Sequence, residues 1–453
     1  MYVCLIKCYY FDFFRVPFLQ LIGKVIGFAS FMIKIAGFKK LALKYALVAH
    51  RTSCDMLSFK TVDSCLKDCK SEKWLHDLVS EPPTMQEVTS RFLVVRWPSY
   101  DRDNELSKGI LIITFTRTFS FFLKNVDIAR LQIYFHIVLE PSSSGYFDPD
   151  ILLWNKKAEF PVFIQSSEIT DMASIDSLCG CLVPISIGAS DWVDYRIFSP
   201  LDEDRVFDSV YVSSTLRLKR SHRYLKAIHN IKKQGMHDYK GALICAKWGD
   251  NVDEIKSLFK HYNIESNCEL LFGLNKTELR KILCQTKLNM LLSKKEGSNR
   301  SLFEAMFCDT PVLALADNVG VNKSYINEFT GILAWDYNLE NVLLSMRNKW
   351  VHYRPRDWAM NNISPEVTME KLCRVIAHTA NDKKIVEDLK QNKNIFYKVN
   401  RPEIEYLNYL AFDKYEFNSK FISIFLMSNS DSEVHASLSE LKVAFDSCIG
   451  EGQ

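Results

Sequence analysis

The chain has 453 residues, of which 47% are hydrophobic and 25% are charged, and its formal net charge is +3. This length exceeds what one hydrophobic core supports and predicts two or three domains. So small a net charge gives no overall attraction to nucleic acid, and we expect no such partner. The 13 cysteines are scattered and odd in number, which favours reduced thiols and a cytoplasmic protein.

The first 88 residues form a basic, apolar extension. Residues 15–50 contain five lysines and neither aspartate nor glutamate. The lysines interrupt the apolar run before a spanning length accumulates, so we expect neither a membrane-spanning helix nor a signal peptide. Two interpretations remain open. The segment is either a helix lying on an anionic membrane surface, on the cytoplasmic face, or a helix packed on the next domain.

Four continuous apolar runs come next in the chain. They are RFLVVRW (91–97), GILIITFT (109–116), YFHIVL (134–139) and PVFIQ (161–165). Continuous apolar runs are typical of strands buried on both faces of a parallel sheet. Residues 89–200 are therefore predicted to form a Rossmann-like domain. His136 lies inside the third run, where a hydrogen-bonded core histidine is favoured over a catalytic one.

A second series of strands and helices occupies residues 201–360. The predicted strands are 209–213, 242–246, 270–272, 288–292 and 312–315, and the predicted helices are 221–233, 253–262 and 276–285. Asn275 and Glu278 have the spacing of a capping box at the start of the last helix. Sheets of this kind bind ligands at the carboxyl ends of their strands, so we look for a site there.

The first strand of this second series runs into a turn that is rich in cations. Arg217, Lys219, Arg220 and His222 follow the strand and precede the helix. Cations in this position suit a diphosphate leaving group, because its negative charge grows in the transition state. A solvated basic loop is the simpler alternative for such a segment taken alone.

The segment EGSNRSLFEAMFCDTPV, residues 296–312, places two carboxylates eight positions apart across the start of a helix. Apolar spacing predicts this helix from about Asn299 to Cys308, with Pro311 ending it. Glu296 precedes the helix, and Glu304 lies on it. The free amides of a first helical turn bind anions, and neighbouring carboxylates suit hydroxyl groups. That combination fits a nucleotide sugar.

The same segment resembles the E-x7-E signature of retaining GT-B glycosyltransferases of family 4, in their bacterial-type polysaccharide branch. Glu296-Gly297, Glu304-Ala305-Met306 and Pro311-Val312 match the signature, whereas Asn299 and Asp309 replace two of its glycines. Residues 188–200 resemble the inter-domain element of the family. Residues 354–364 and 398–406 resemble its C-terminal end.

The resemblance implies an α/β GT-B fold, with two doubly wound Rossmann-like domains facing each other across a cleft. Residues 361–415 would be helices that cross back, and residues 416–453 a short helix or a loose tail. The implied reaction transfers a sugar from a nucleotide-diphosphate-sugar donor to a hydroxyl of a glycan or lipid-linked acceptor, with retention and without a metal or other cofactor. The alternatives are a nucleotide-sugar epimerase or hydrolase and a non-catalytic, membrane-tethered scaffold.

The resemblance also implies roles for single residues on the donor side. Glu296 would contact the sugar hydroxyls, and Lys219 would bind the diphosphate; these two are the expected catalytic residues. The other expected donor-binding residues are Arg217, Arg220, Gly273, Gly297, Ser298, Asn299 and Glu304.

The acceptor side is less well marked in the sequence. The loop 140–146 resembles a family segment, and we expect Glu140, Ser144 and Gly145 to shape the acceptor site. The turn at residues 117–119 takes the place of the family's glycine-rich loop, without a glycine. Asp148-Pro149-Asp150 is interpreted as a turn, and no metal ligands are expected.

Overall fold

The computed structural model describes residues 16–100, 106–141, 145–178, 180–246, 252–297, 299–391, 414–426 and 431–450. The chain divides into two compact units. The first unit comprises Leu19–Gly188 together with the described residues from Thr368 onward, and the second comprises Ala189–Val367 together with the described residues before Leu19.

Among the described residues up to 188, five helices come first and are followed by a mixture of strands and helices. The helices are α1 (Val16–Ile35), α2 (Lys39–Ser53), α3 (Met56–Leu66), α4 (Ser71–His76), α5 (Met85–Val88), α6 (Thr116–Asn125), α7 (Ile128–Tyr134), α8 (Pro149–Leu152), α9 (Trp154–Lys157) and α10 (Ile169–Asp176). The strands are β1 (Phe92–Arg96), β2 (Ser99–Tyr100), β3 (Leu106–Ser107), β4 (Gly109–Thr114), β5 (Phe135–Glu140), β6 (Val162–Gln165) and β7 (Leu182–Ile185).

The sheet of the first unit has the strand order β1-β4-β5-β6-β7. Strands β4 to β7 are parallel, as the continuous apolar runs predict. Strand β1 is antiparallel to β4, with Phe92 opposite Ile113. The expectation that residues 91–97 join a parallel sheet is therefore wrong. A continuous apolar run reports burial on both faces, and an antiparallel edge strand that is covered on both faces has the same pattern.

The core of the first unit contains residues from both ends of the chain. Ala42, Val62 and Val88 share it with Phe92, across the predicted boundary at residue 88. From the other end, α17 (Pro365–Thr379) and α18 (Lys384–Gln391) are followed by α19 (Lys414–Ile424) and α20 (Asp431–Gly450). Phe421 of α19 is fully buried, with its ring 5.2 Å from that of Phe92. The described residues beyond 416 are therefore helical and packed, which corrects the alternative of a loose tail.

Helix α1 presents much of its apolar surface to solvent. The segment Pro17–Ile35 is 19 residues long, has a mean hydropathy of 1.6 and is only 17% buried. By length and composition alone it is able to cross a membrane, which corrects the expectation that lysines end the apolar run too early. Only Lys24 and Lys34 fall within it.

The second unit contains a six-stranded parallel sheet in the order β10-β9-β8-β11-β12-β13. Its strands are β8 (Ser209–Ser213), β9 (Gly241–Cys245), β10 (Cys268–Phe272), β11 (Asn289–Leu291), β12 (Val312–Leu315) and β13 (Gly331–Ala334). Its helices are α11 (Ser221–Lys233), α12 (Val252–Tyr262), α13 (Lys276–Cys284), α14 (Arg300–Phe307), α15 (Leu339–Lys349) and α16 (Pro355–Asn362). These elements agree closely with the second predicted series.

The central strands β8, β9, β11 and β12 are largely buried on both faces, as in a doubly wound domain. Tyr211 and Leu243 belong to the apolar cluster on one face, and Val210 and Ala242 belong to a cluster on the other. The predicted capping box is present, since Asn275 and Glu278 each accept a hydrogen bond from the other's backbone N–H. Local sequence signals therefore predict most of this unit, although β13 and α15 were not in the predicted series.

Candidate active site

The cationic turn lies at the carboxyl end of β8, the third strand in the order of the sheet. A short 3₁₀ turn, Arg217–Lys219, leads into Arg220, which has a left-handed backbone with a φ of +57°. Helix α11 begins at the next residue. A non-glycine residue in this conformation costs conformational energy, so other contacts must hold it. They are supplied by the side chain of Arg220 itself, as described below.

Lys219 and Glu296 form an ion pair in this turn. The Lys219 Nζ lies 2.5 Å and 2.7 Å from the two carboxylate oxygens of Glu296. The Ser293 hydroxyl donates a further hydrogen bond of 2.7 Å to Glu296 Oε1. Glu296 is only 9% exposed. The two residues predicted to be catalytic are thus in direct contact.

The order of the strands explains why residues 77 positions apart meet. Strands β8 and β11 are parallel neighbours, with Val210 opposite Asn289. Lys219 follows the first of these strands, and Glu296 follows the second. The Glu296 amide also donates to the Val319 carbonyl over 2.8 Å, which fixes the backbone of the loop. Parallel neighbours bring their carboxyl ends to the same edge of a sheet, and the pair lies there.

Arg220, the next residue, is held by a second carboxylate. Its side chain is 4% exposed and lies 2.8 Å from Asp336 Oδ2. It also donates a hydrogen bond of 3.0 Å to the Leu292 carbonyl. Lys294 Nζ approaches the same Asp336 carboxylate at 2.8 Å. These contacts compensate for the left-handed backbone of Arg220.

Two opposing effects, burial and nearby positive charge, act on the pKa of Asp336. Burial alone would raise the pKa, but the charges and hydrogen bonds of Arg220 and Lys294 outweigh burial and hold it below its ordinary value. Asp336 is therefore a carboxylate at neutral pH. Arg220 is a predicted donor-binding residue, and the described contacts give it a role in fixing the turn.

Arg217 is paired with a carboxylate as well. Its Nη2 lies 2.5 Å from Glu254 Oε2, and its Nε lies 3.0 Å from Glu254 Oε1. This bidentate geometry is the strong form of an arginine–carboxylate contact. The Arg217 side chain remains 35% exposed. A donor phosphate would have to compete with Glu254 for this guanidinium.

Helix α14 begins beside Glu296, as predicted. Asn299 is its N-cap, and the Asn299 side-chain oxygen accepts a hydrogen bond of 3.2 Å from the Leu302 amide. Asn299 thus replaces a family glycine with a residue that caps the helix. Gly297 directly follows Glu296 in the loop, and Ser298 lies outside the described residues.

Glu304 lies in the second half of α14, and its side chain is 13% exposed. Burial raises its pKa, although the nearby Arg300 acts in the opposite direction. Arg300 Nε lies 3.7 Å from Glu304 Oε1, which is long for a hydrogen bond. Glu304 therefore has a greater tendency to be protonated than an ordinary glutamate.

Gly273 and the acceptor-side residues lie at other strand ends. Gly273 follows β10 with a φ of +60°, a conformation that favours glycine, and its amide donates to the Cys245 carbonyl over 2.8 Å. In the first unit, the carbonyl of Glu140 accepts a hydrogen bond of 2.9 Å from the Phe115 amide. Gly145 donates through its amide to Asp171 Oδ2 over 2.9 Å. Ser144 lies outside the described residues.

The remaining expectations concern the first unit. Residues 117–119 lie in the first turn of α6, after Phe115, whose φ is +64°. His136 is buried, and its Nε2 lies 3.1 Å from Asp382 Oδ2, so the prediction of a satisfied core histidine is confirmed. Burial lowers the pKa of His136, despite the opposing effect of Asp382.

The Asp148–Asp150 segment has the structural role of a turn. The Asp148 side chain caps α8, and Asp150 accepts a hydrogen bond of 2.8 Å from the Ser80 amide. In the part of the chain that the structure describes, no group of three or more histidine, cysteine or acidic side chains is arranged to hold a metal ion.

Three residues of the site escaped the sequence analysis: Ser293, Lys294 and Asp336. Ser293 and Lys294 lie three and two positions before Glu296, and their position beside the signature was an available signal. Asp336 follows β13, two strands away from β11, and no local pattern marks it. Its partnership with Arg220 depends on the strand order.

Residues 197–347 match the family model described as Glycosyl transferases group 1. The matched segment is about a third of the chain. The matched residues include the Lys219–Glu296 pair and every strand of the six-stranded sheet. The predicted similarity to group 1 glycosyl transferases is confirmed for this segment, and so is the predicted α/β class, with two successive sheet-containing units.

Several solved structures are similar to the chain. TarM of S. aureus, in complex with fondaparinux, alpha-GlcNAc-glycerol and UDP, is 16% identical with a TM-score of 0.44, over 61% of this chain and 60% of that chain. HepE of Anabaena, in complex with UDP and glucose, is 15% identical with a TM-score of 0.39, over 53% and 65%.

Sucrose-phosphate synthase of Thermosynechococcus elongatus is 16% identical with a TM-score of 0.46, over 59% of this chain and 73% of that chain. The match to TarM thus spans about three fifths of that protein's length. No curated protein matches the sequence. Family 4 membership, the retaining outcome and the facing arrangement of the two units stay predictions.

Proposed function

We propose that the protein is a retaining glycosyltransferase that moves a sugar from a nucleotide-diphosphate-sugar to a hydroxyl of a glycan or lipid-linked acceptor. The observation that carries the proposal is the contact of Lys219 with Glu296 at the carboxyl ends of β8 and β11, inside the group 1 domain. In the reaction the anomeric carbon exchanges its bond to the diphosphate oxygen for a bond to the acceptor oxygen. The hydroxyl proton leaves with the diphosphate.

Lys219 and Glu296 bind different parts of the donor in this proposal. An ammonium group has three donor hydrogens, so Lys219 is able to keep Glu296 while it also contacts a phosphate oxygen. Its charge then opposes the negative charge that grows on the leaving diphosphate. Glu296 accepts hydrogen bonds from the sugar hydroxyls, and the first amides of α14 supply further donors. Glu304 would hold the ribose diol, and Gly273 would lie beside the base.

Donor binding is the first test of this function. Thermal-shift measurements with UDP-, GDP-, CDP- and ADP-sugars should show a raised melting temperature for at least one of them, because a ligand of the native state stabilises it. The same shift should disappear in Lys219→Ala. A chain that is stabilised by none of these donors would contradict the proposal.

Product analysis separates transfer from the two alternatives. A transferase gives glycosylated acceptor and releases little sugar without one. An epimerase or hydrolase would convert the donor at its full rate in the absence of acceptor. A scaffold would be unaffected by Glu296→Ala in a cell-based assay, where a transferase loses its function. The anomeric configuration of the product, read by NMR, tests retention.

We also propose that the reaction needs no divalent metal. The charges of Lys219 and the α14 amides take the place of a metal at the diphosphate in this proposal. Transfer should therefore continue in the presence of EDTA at an unchanged rate. A loss of activity that added Mg²⁺ or Mn²⁺ restores would overturn this part of the proposal.

The N-terminal helices favour a membrane surface as a further partner, and with it a lipid-linked acceptor. Among the large apolar side chains on α1 and α2, Val25, Phe28 and Leu41 are 61%, 59% and 45% exposed. Lysines are interspersed among them, and no acidic residue occurs between positions 13 and 54. Exposed apolar area combined with unopposed positive charge suits the boundary of an anionic bilayer.

Vesicle flotation tests this partner. The chain should float with vesicles that contain phosphatidylglycerol and remain in solution with phosphatidylcholine alone. Lys24→Glu with Lys44→Glu should reduce flotation, since both side chains are exposed. A matched control reverses two exposed lysines of the second unit, Lys256→Glu with Lys260→Glu. Equal flotation of both double variants would show that the N-terminal helices do not make the contact.

A further inference from the structure

An aromatic platform in the second unit lies outside the residues assigned to the donor. Trp335 and Tyr337 follow β13 and are 47% and 82% exposed. Their rings are nearly parallel, with an interplanar angle of 14° and centroids 6.5 Å apart. Two large aromatic side chains that are exposed side by side lack the stabilisation that burial would give them. Such exposure is typical of binding surfaces.

The turn that carries these two rings is fixed by ion pairs and a hydrogen bond. Asp336 lies between the two aromatic residues and is tied to Arg220 and Lys294, each at 2.8 Å. The Trp335 amide donates to the Asn338 side-chain oxygen over 2.9 Å. A turn fixed in this way presents its side chains without a further ordering cost when a ligand binds.

Tyr337 also lines a cavity of about 470 Å³, which is in the size range of small-molecule sites. The other lining residues are Asn230, Lys233, Gln234, Glu340 and Asn341. The side chains of Gln234, Tyr337 and Asn341 make no hydrogen bond within the described part of the chain. The cavity therefore combines an aromatic wall with amide groups that both donate and accept hydrogen bonds.

We propose that this cavity, with the Trp335–Tyr337 platform, is a second carbohydrate-binding site, which engages a glycan chain away from the Lys219–Glu296 pair. A pyranose ring has an apolar C–H face that packs on an aromatic ring, and hydroxyls at its rim that both donate and accept. Asn230, Gln234 and Asn341 offer both functions. The lining contains one lysine and one glutamate, so it has no net charge. This argues against a phosphate backbone as the ligand.

The site goes beyond the proposed function and does not depend on it, because glycan binding is measured without a nucleotide sugar. Affinity electrophoresis of the full chain in gels that contain amylose, dextran, mannan, galactan or a β-glucan supplies the test. We expect at least one polysaccharide to retard the chain. Trp335→Ala and Tyr337→Ala should each weaken the apparent affinity about ten-fold, the loss of one good stacking contact.

Two controls separate the possible results. Phe329→Ala removes another aromatic side chain of the second unit, 52% exposed, and should leave retardation unchanged. Glu296→Gln should also bind the polysaccharide normally, so a failed glycosyltransferase assay and a failed glycan-binding assay are distinguishable. Circular dichroism checks that both aromatic variants fold. Retardation by none of the polysaccharides, or retardation that survives both aromatic substitutions, overturns the proposal.

Discussion

The two units differ in what holds the loops at the ends of their strands. In the second unit, the loop after β8 is joined to those after β11 and β13 by charged side chains, with Lys219 bonded to Glu296 and Arg220 to Asp336. In the first unit, the described contacts near the end of β5 involve backbone groups. Phe115 donates to the Glu140 carbonyl, and the Gly145 amide donates to Asp171.

This difference corresponds to the two halves of the proposed reaction. A diphosphate has the same charge in every nucleotide sugar, so a fixed set of cations and carboxylates serves all donors. Acceptors vary in shape, and loops fixed through their backbone are able to change side chains without loss of structure. We therefore expect charge substitutions in the second unit to act on donor chemistry and loop substitutions in the first unit to act on the acceptor.

The largest effect is expected for Glu296→Gln. Glutamine fills the same space but loses the charge that positions the Lys219 ammonium, so kcat/KM for transfer should fall about 100- to 1,000-fold. Steady-state kinetics with an unchanged circular dichroism spectrum provide the measurement. Glu269→Gln, an exposed change on β10, is the control and should retain full activity. Activity within two-fold of the unmodified chain, about 0.4 kcal/mol in barrier height, would remove Glu296 from the site.

Asp336→Asn tests the second ion pair of the same unit. The Arg220 side chain is 4% exposed, and without a carboxylate partner its charge is left poorly compensated. We expect the free energy of unfolding to fall by about 2 kcal/mol, as measured by urea denaturation. Asp317→Asn removes a more exposed partner of Lys294 and should cost less than about 0.5 kcal/mol. Equal losses in the two variants would show that burial of Arg220 does not decide the outcome.

Asp171→Asn examines the acceptor side. Asp171 accepts hydrogen bonds from the amides of Gly145 and Tyr146, at 2.9 Å and 3.2 Å. An asparagine at this position weakens both bonds, since charge-assisted bonds are the stronger kind. The KM for the acceptor should rise about five- to ten-fold, while donor affinity in the thermal-shift assay stays constant. A loss of donor affinity instead would contradict the division between the two units.

The smallest effect concerns pH and Glu304. Burial raises the pKa of this carboxyl in the folded state, so the folded chain binds its proton more tightly than the unfolded chain does. Its contribution to stability is present below the unfolded pKa of about 4.3 and is lost as the pH rises through the folded pKa. Glu304→Gln should therefore be slightly more stable than the unmodified chain at pH 7. The difference should shrink toward pH 4 in urea titrations, and a constant difference would contradict this assignment.

Much of the second unit is predictable from sequence because its signals are local. The helix 221–233, the capping box at Asn275 and the helix that starts after Asn299 each depend on a few neighbouring residues. Lys219 and Glu296 were assigned to one donor site through a family resemblance, which already contains the strand order; their direct contact is a finding of the structure. Asp336 lacks such a pattern, and its contact with Arg220 spans 116 positions.

The first unit shows where this kind of reasoning fails. A continuous apolar run does not show whether β1 is parallel or antiparallel to its neighbour, because a buried strand has the same sequence pattern in both cases. The C-terminal helices looked polar enough to be a tail, yet Phe421 is among the most buried side chains. The bond from His136 to Asp382 joins residues 246 positions apart. Each of these features is a long-range contact, which depends on the complete fold.

The burial of Phe421 against Phe92 has a consequence for how the molecule is made. A ribosome synthesises the sheet of the first unit early, but the side chain that completes its core emerges more than 300 residues later, after the whole second unit. Domains generally fold in the order of their synthesis. An apolar face of the nascent first unit therefore stays exposed until Phe421 is synthesised. The second unit is able to fold before the first unit is complete. Premature termination near residue 410 would therefore damage the part of the protein that was translated first.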